Sequence, residues 1–327
     1  MKNLKIVLKA ASIFAFLLLS TDAYSLELSS SLDVPKNING KVSFLAVQQK
    51  LVDCTNEKQK TSNVERSFEI IRKFPGYDLY IFPELSVTGY ARKTFEALHI
   101  LAEPADNTGK TFKKYSGLAK EIQSYIIYSI PVYDPAETAK PRKYYIASFI
   151  VSPAGDLINV YKKNYLFTME QEFFTPGWAD SDPIPVRTFE INGVKLGIVI
   201  CYDMRYPEFW REQSINQNVV SFVHILATAK DFSWNTWQTM ICARAIENLS
   251  YIISLNRSGD IYGGSMFVQP GTPSIGEYVI TPVLQKLNNE EGVIGGVMDK
   301  SLIGSVRAKC TIFKDGIKNF HRFKKLK

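Results

Sequence analysis

The stretch VKLGIVI, residues 194–200, runs directly into CYDMRYPEFWREQSINQ, residues 201–217, and this junction decides the fold. Apart from Lys195 the first seven residues are apolar and rich in Val and Ile. That suits a strand buried on both faces, not one alternating between core and solvent. The segment YPEFWREQSINQ that follows has helical character, so Cys201 stands where a buried strand gives way to a helix. Outward from this unit the same alternation recurs. SFVHILAT (221–228) and YIISLN (251–256) read as further buried strands, with WNTWQTMICARAIEN (234–248) as a long amphipathic helix between them. On the N-terminal side VSFLAVQ (42–48) reads as a first strand, 63–74 as a helix, and DLYIF (78–82) as a second strand ending at Pro83. A helix near 111–124 precedes the strands YIIYSIPV (125–132) and YYIASFIVS (144–152), the latter followed by the hairpin turn PAGD. Continuously apolar strands mixed with amphipathic helices predict an α/β layered class, with sheet covered by helices.

The chain has 327 residues, 46% of them hydrophobic, and a formal net charge of +7. From Lys41 onward no repeat, low-complexity block or linker divides it, so one domain is the simplest account. Residues 1–25, MKNLKIVLKAASIFAFLLLSTDAYS, place Lys2, Lys5 and Lys9 before an apolar run from Ala10 to Leu19. That is a secretory signal layout, and the run is short against the ~20 residues needed to span a bilayer. Cleavage is expected near Ser25, before Leu26, with a site after Ala23 as competitor, which predicts a secreted or periplasmic protein without a membrane span. Removing three lysines and Asp22 takes the charge to +7 − 3 + 1 = +5. The mature domain would cover 26–327, with a core at about 41–298 and the basic tail KDGIKNFHRFKKLK (314–327). The tail reads as a solvated terminus, not a nucleic-acid site. Cys54, Cys201, Cys242 and Cys310 contain no C-x-x-C pair, and if Cys201 stays a free thiol the others supply at most one disulfide.

Three strand ends carry ionisable residues: Glu84 in FPELSVTGY, Lys162 and Lys163 in YKKNYLF, and Cys201 in ICYDMRYPE. Singly each is unremarkable. Together and in this order they resemble the carbon-nitrogen hydrolase, or nitrilase, superfamily, with its F-P-E, Y-x-K-x-x-L-F and C-Y-D-x-R-x-P-E motifs. The resemblance covers about 41–298 and includes DNTGKTFKKYSGLAKE, EFFTPG, ARAIEN and GGSMFVQP. It implies an α-β-β-α sandwich that forms a homodimer or higher homo-oligomer and uses no metal or organic cofactor.

The resemblance assigns Cys201 as nucleophile, Glu84 as general base and Lys163 as the cation beside the tetrahedral intermediate. A thiol near its reference pKa of ~8.5 is mostly protonated at neutral pH. A carboxylate must therefore take its proton and a cation favour the thiolate, while the N–H of Tyr202 would join Lys163 at the oxyanion. Counting back from Leu166 and Phe167 selects Lys163 over Lys162, and strand alternation points the two apart. Glu170 fits the spacing of a second family carboxylate better than Glu172 and would orient Lys163. Tyr165 departs from the His many members carry.

The implied reaction is hydrolysis of the C–N bond of a small amide through a Cys thioester, releasing ammonia or an amine and a carboxylate. C-Y-D is more like the amidase branches than the C-W-E of true nitrilases. PEFWRE has some likeness to carbamoylases, which makes an N-carbamoyl amidohydrolase the runner-up. A nitrilase and a catalytically silent secreted binding protein are the remaining alternatives. Tyr90, Tyr202 and Trp178 would line the pocket or pack. Asp203 and Arg205 would read substrate polarity or pair with each other. Arg244 and Glu247 would hold structure, and Cys242 would be core. Selectivity is expected in 91–106 and 178–185. Of the three histidines His99, His224 and His321, none suits a Cys/His mechanism, His224 reading as a satisfied core residue, and no H-E-x-x-H motif points to a metal.

Overall fold

A computed structural model of the chain describes residues 36–138, 140–179, 185–231, 233–270, 273–274, 277–278 and 283–323. The signal at 1–25, residues 26–35, most of the 178–185 loop and the last four tail residues lie outside the described residues.

The strands, in chain order, are β1 (Lys41–Gln48), β2 (Leu79–Ile81), β3 (Glu103–Pro104), β4 (Tyr125–Tyr133), β5 (Tyr145–Val151), β6 (Leu157–Lys162), β7 (Thr188–Ile191), β8 (Val194–Ile200), β9 (Ser221–Ile225), β10 (Tyr251–Leu255), β11 (Met266–Val268), β12 (Pro273–Ser274), β13 (Glu277–Tyr278), β14 (Val283–Lys286) and β15 (Gly292–Asp299). One sheet runs β15-β1-β2-β4-β5-β6 with β3 beside β4, the other β14-β11-β10-β9-β8-β7, and β12 pairs β13. Between β4 and β5 on one side and β8 on the other, the facing rows include Ile127, Ile146, Ile150, Ile198 and Ile200.

The period of two explains the unbroken apolar runs. In β1, Val42, Phe44 and Ala46 enter the core between the sheets, while Leu45 and Val47 enter a second core under the outer helices. Both faces are buried, so both must be apolar. Helices α1 (Glu57–Lys73), α2 (Arg92–Glu96), α3 (Leu98–Leu101) and α4 (Lys110–Ile122) follow the early strands. Of these, α1 and α4 supply Val64, Ile70, Ile71, Phe112, Tyr115 and Leu118 to that second core. On the far side α5 (Pro207–Ile215) and α6 (Trp234–Asn248) cover the other sheet with Trp210, Trp237 and Ile241. The result is the α-β-β-α sandwich. Helix α1 begins earlier than the predicted 63–74 because Asn56 caps it, its side chain accepting from Gln59 N at 3.1 Å.

One pairing was illegible locally: β15 lies antiparallel to β1 along its whole length, from Lys41↔Asp299 to Gln48↔Gly292. It leads into α7 (Lys300–Lys309) and α8 (Thr311–Phe323). This corrects the reading of the basic tail as a solvated terminus, for 314–323. Apolar residues at 313, 317 and 320 recur at helical spacing among the charges. Phe313 and Ile317 pack on Leu249 and Val306, and Lys314, Lys318 and Arg322 face solvent.

Arg307 anchors this region. Its guanidinium lies 4.4 Å from the Phe313 ring centroid and donates to the carbonyls of Leu249 at 3.1 Å, Val219 at 2.6 Å and Asn248 at 3.0 Å. Two of these end α6, where helix carbonyls lack partners and carry partial negative charge. Burial, and then Arg211 nearby, lower its pKa to about 10, so it stays charged at neutral pH. Arg307→Met should strip the Leu249 and Val219 carbonyls of this donor, while Asn248 O keeps Ser214 and Ser250, and cost roughly 3 kcal/mol, read as a shifted urea midpoint.

Candidate active site

Four chain segments converge at the carboxyl ends of β2, β6 and β8. After β2 the chain turns at Leu85, whose φ is 48°, and leaves Glu84 facing inward with no exposed surface. At the end of β6 alternation separates the two lysines. Lys162 points outward to Asp134 at 3.3 Å, while Lys163 is buried. Glu170 lies in a 3₁₀ turn, Thr168–Glu172, where its Oε2 accepts from Phe167 N at 2.8 Å. The EFFTPG loop closes over this turn, with Gly177 N donating to Lys163 O at 2.7 Å. A Cβ on Gly177 would stand 2.4 Å from Lys162 O, so only glycine lets the two backbones come this near.

Cys201 directly follows β8 and begins the 3₁₀ turn Cys201–Arg205. Its φ of 45° is in the left-handed region, a conformation that costs a non-glycine residue on the order of 1–3 kcal/mol and clusters at functional sites. Its Sγ is 3.8 Å from Thr228 Oγ1.

The centre of the site is Lys163. Its Nζ donates to Glu84 Oε1 at 2.8 Å and to Glu170 Oε1 at 2.6 Å, with all three side chains sealed from solvent. Tyr90 donates its hydroxyl to the same Glu170 oxygen at 2.7 Å. Glu84 Oε2 is buried without a hydrogen-bond partner among the described residues. Cys201, by contrast, is partly open to solvent.

Charge follows from this packing. Burial pushes Glu84 up to about 7, with Lys163 opposing and Glu170 reinforcing the rise. Burial alone would lower Lys163, but Cys201, Glu170 and Glu84 outweigh it and hold the ammonium well above its usual range. Burial and then Glu84 raise the Cys201 thiol, against the pull of Lys163. Two carboxylates beside one ammonium already leave the cluster negative, so the resting nucleophile is a thiol with a half-ionised carboxyl beside it near neutrality. Among the described residues no three His, Cys, Asp or Glu side chains are grouped as a metal site requires.

The other sequence-predicted residues divide. Tyr90 is at the site, but its hydroxyl is committed to Glu170. Tyr202 borders Phe167 and Tyr206, at ring distances of 5.8 and 6.1 Å. Arg205 does not pair with Asp203, which corrects that expectation. Asp203 turns inward and accepts from Tyr161 Oη at 2.6 Å, Tyr165 N at 2.8 Å and Ile200 N at 3.2 Å, bracing the nucleophile turn. Burial raises it to about 6, against Tyr161 and Lys163. Arg205 reaches Thr236 Oγ1 at 3.4 Å, and its Nε is buried with no partner among the described residues. Trp178 is 40% exposed at the edge of the undescribed 180–184. Glu172 pairs on the surface with Arg92 at 2.7 Å, as the preference for Glu170 requires. Arg244 bonds Glu247 at 2.9 Å and Met204 O at 3.3 Å, a structural role. Cys242 is half-buried and packs against the core between the sheet and α6, at its margin and not at its centre. All four cysteines are free thiols, so the single disulfide allowed by the count is not formed.

Sequence reasoning missed several contributors. Asn256 holds Thr228 from both sides, accepting from its N at 3.1 Å and donating to its O at 2.9 Å. Asp53 Oδ1 accepts from Tyr90 N at 2.8 Å and from Arg257 at 2.6 Å. His224 reaches the Cys201 carbonyl at 3.2 Å. A signal was present for part of this. The runs 221–225 and 251–255 resemble β8, and strands parallel to β8 deliver their C-terminal residues, Thr228 and Asn256, to the same edge.

The sequence model of the carbon-nitrogen hydrolase family matches residues 43–277. The chain is 27% identical over 294 residues to a probable nitrilase of Schizosaccharomyces pombe, covering 87% of this chain and 98% of that protein. It is 25% identical over 266 residues to a 2-oxoglutaramate amidase of Bacillus subtilis, covering 78% and 91%. With the omega-amidase NIT2 of Homo sapiens it shares 26% over 275 residues, 78% and 89% of the two chains. Among solved structures, Saccharomyces cerevisiae Nit3 superposes with a TM-score of 0.68 at 22% identity, covering 85% of this chain and 96% of that one.

Proposed function

The chain belongs to the carbon-nitrogen hydrolase family, and from that premise we propose that it hydrolyses the C–N bond of a small linear amide through a thioester on Cys201. The observation that supports this most is the sealed Glu84–Lys163–Glu170 contact beside a partly open, strained Cys201. Sγ attacks the amide carbonyl as its proton passes to Glu84, and the resulting oxyanion faces Lys163 Nζ and the N–H of Tyr202. Collapse breaks the C–N bond, and Glu84 returns the proton to the leaving nitrogen, releasing ammonia or an amine. Glu84 then takes a proton from water, whose oxygen attacks the thioester. The second collapse breaks the C–S bond, frees the carboxylate product and reprotonates sulfur.

A base that must accept and then donate works best near the ambient pH, which is where burial puts Glu84. Turnover needs the ionised form, so kcat/KM should fall about tenfold per pH unit below about 7 and level off above it. A pH series from 5 to 9 checks this, and a profile flat down to pH 5 would remove Glu84 from the role.

Arg205 supports a narrower reading, an amide that also carries a carboxylate. It lies four residues after the nucleophile, and no carboxylate pairs with it among the described residues. Two relatives bear the names 2-oxoglutaramate amidase and omega-amidase, which agrees. N-carbamoyl amino acids carry the same carboxylate and form the second reading. Export directed by residues 1–25 and assembly as a homo-oligomer complete the proposal. The test is ammonia release from simple aliphatic amides, monoamides of dicarboxylic acids, N-carbamoyl amino acids and nitriles, with hydroxylamine added to trap the acyl-enzyme as a hydroxamate. Monoamides should lead and yield hydroxamate. Preference for N-carbamoyl substrates would promote the second reading, and silence throughout would overturn both.

A further inference from the structure

His224 lies on β9, where it is the register partner of Val199 on β8, and it has no exposed surface. Its Nε2 is 3.2 Å from the carbonyl oxygen of Cys201, and its Nδ1 is 2.9 Å from Ser254 Oγ on β10. A carbonyl only accepts, so Nε2 carries the proton and Nδ1 presents a lone pair. Ser254 must then donate to Nδ1, and it accepts in turn from Trp237 Nε1 at 3.0 Å. Every donor from α6 to the nucleophile's backbone thus has one direction, Trp237 to Ser254 to His224 to Cys201. Burial, with Lys163 adding to it against the Cys201 carbonyl contact, lowers the imidazole to about 3, so the ring stays neutral, and its one lone pair is taken by Ser254, which leaves it no place as the base.

We propose that His224 is a positioning residue for the oxyanion site, a role that rests on Cys201 being the nucleophile. The Cys201 carbonyl and the Tyr202 N–H belong to one planar trans peptide, so they point in opposite directions. Tethering the oxygen to His224 in the core turns that N–H away from the imidazole. The same tether holds Cys201 at its φ of 45°, a conformation its own side chain does not favour. Misdirecting one preorganised oxyanion donor costs ~10²–10³-fold in turnover.

The test compares His224→Met, which removes the donor, with His224→Gln, which keeps an amide N–H at similar reach. Two rates are measured on each folded variant: amide turnover, and alkylation of Cys201 by iodoacetamide, a displacement that forms no oxyanion. We expect His224→Met to lose about 10²-fold in kcat with KM changed less than about threefold, alkylation slowed less than about threefold, and His224→Gln to recover at least about tenfold. Should His224→Met not fold, Ser254→Ala keeps the imidazole and removes its donor, and should lower kcat by about three- to tenfold with alkylation unchanged. Turnover and alkylation falling in parallel, no recovery in His224→Gln, or kcat within threefold of wild type in the donor-free variants would each overturn the proposal. A wild type that alkylates but turns over no amide would overturn the reading of Cys201 and this one together, whereas an active wild type with any of those patterns overturns His224 alone.

Discussion

Cys201→Ala should abolish amide hydrolysis, lowering kcat by on the order of 10⁴–10⁶-fold, while leaving the fold within about 1 kcal/mol of wild type. The size of the loss follows from the division of labour at the site. Lys163, Glu170 and Tyr90 are arranged about Glu84, but none of them forms a bond to carbon, and without sulfur no thioester forms and only direct attack by water on the amide remains. The small stability effect follows from exposure: Cys201 is partly open, so the substitution leaves no sealed cavity, and alanine meets the same cost at positive φ. Intact-mass analysis of acid-quenched reactions checks the chemistry independently of rate, because wild type should carry an acyl adduct that the variant lacks. Residual activity above about 1% of wild type, or an adduct on the alanine variant, would remove Cys201 from the mechanism.

How much of this was legible in the sequence depended on the range of the interaction. Glu84, Lys163, Glu170 and Cys201 could be read because each stands in a short contiguous motif, and the motifs in this order resemble those of the carbon-nitrogen hydrolase family. The choice of Lys163 over Lys162 came from counting back from Leu166 and Phe167 in the Y-x-K-x-x-L-F motif, alternation adding only that the two point apart, and Lys162 meets Asp134 while Lys163 meets two buried carboxylates. Contacts between segments far apart in the chain could not be read. Asp203 and Arg205 lie two apart and suggested a pair, yet Asp203 is claimed by Tyr161, 42 residues away, which turns it inward. The basic tail failed for a related reason. Its charges dominate its composition, while the apolar row through Phe313 and Ile317 has meaning only against Leu249 and Val306. His224 was read as a satisfied core residue, and it is one. What the strand could not disclose is that one of the groups satisfying it is the nucleophile's own carbonyl.

Lys163→Met should lower kcat/KM by at least about 10³-fold and, unlike the loss of Cys201, should also destabilise the protein in a pH-dependent way. Two effects on rate combine. The oxyanion loses a charged partner, worth ~10²–10³-fold. Glu84 loses the neighbour that opposes the rise of its pKa, so the acid limb moves above 7 and less base is ionised at neutral pH. For stability, Glu84 and Glu170 would be buried without their shared cation, and breaking a buried ion pair costs ~3–5 kcal/mol. The carboxyls can escape part of that cost by keeping a proton. Glu84 already has a folded pKa raised above its unfolded value of about 4.5, and the substitution raises it further. A group shifted upward on folding lends stability at low pH and loses it as pH rises through the folded value. The deficit of Lys163→Met against wild type should therefore be small at pH 5 and grow toward pH 9. Lys163→Arg should restore little of either property, because a planar guanidinium does not fit the point between two carboxylates that a compact ammonium occupies. Urea denaturation at pH 5, 7 and 9, run beside the kinetics, separates the outcomes. A deficit largest at pH 5, or a kcat/KM within tenfold of wild type, would mean that Lys163 does not oppose the rise of Glu84 at the reacting centre.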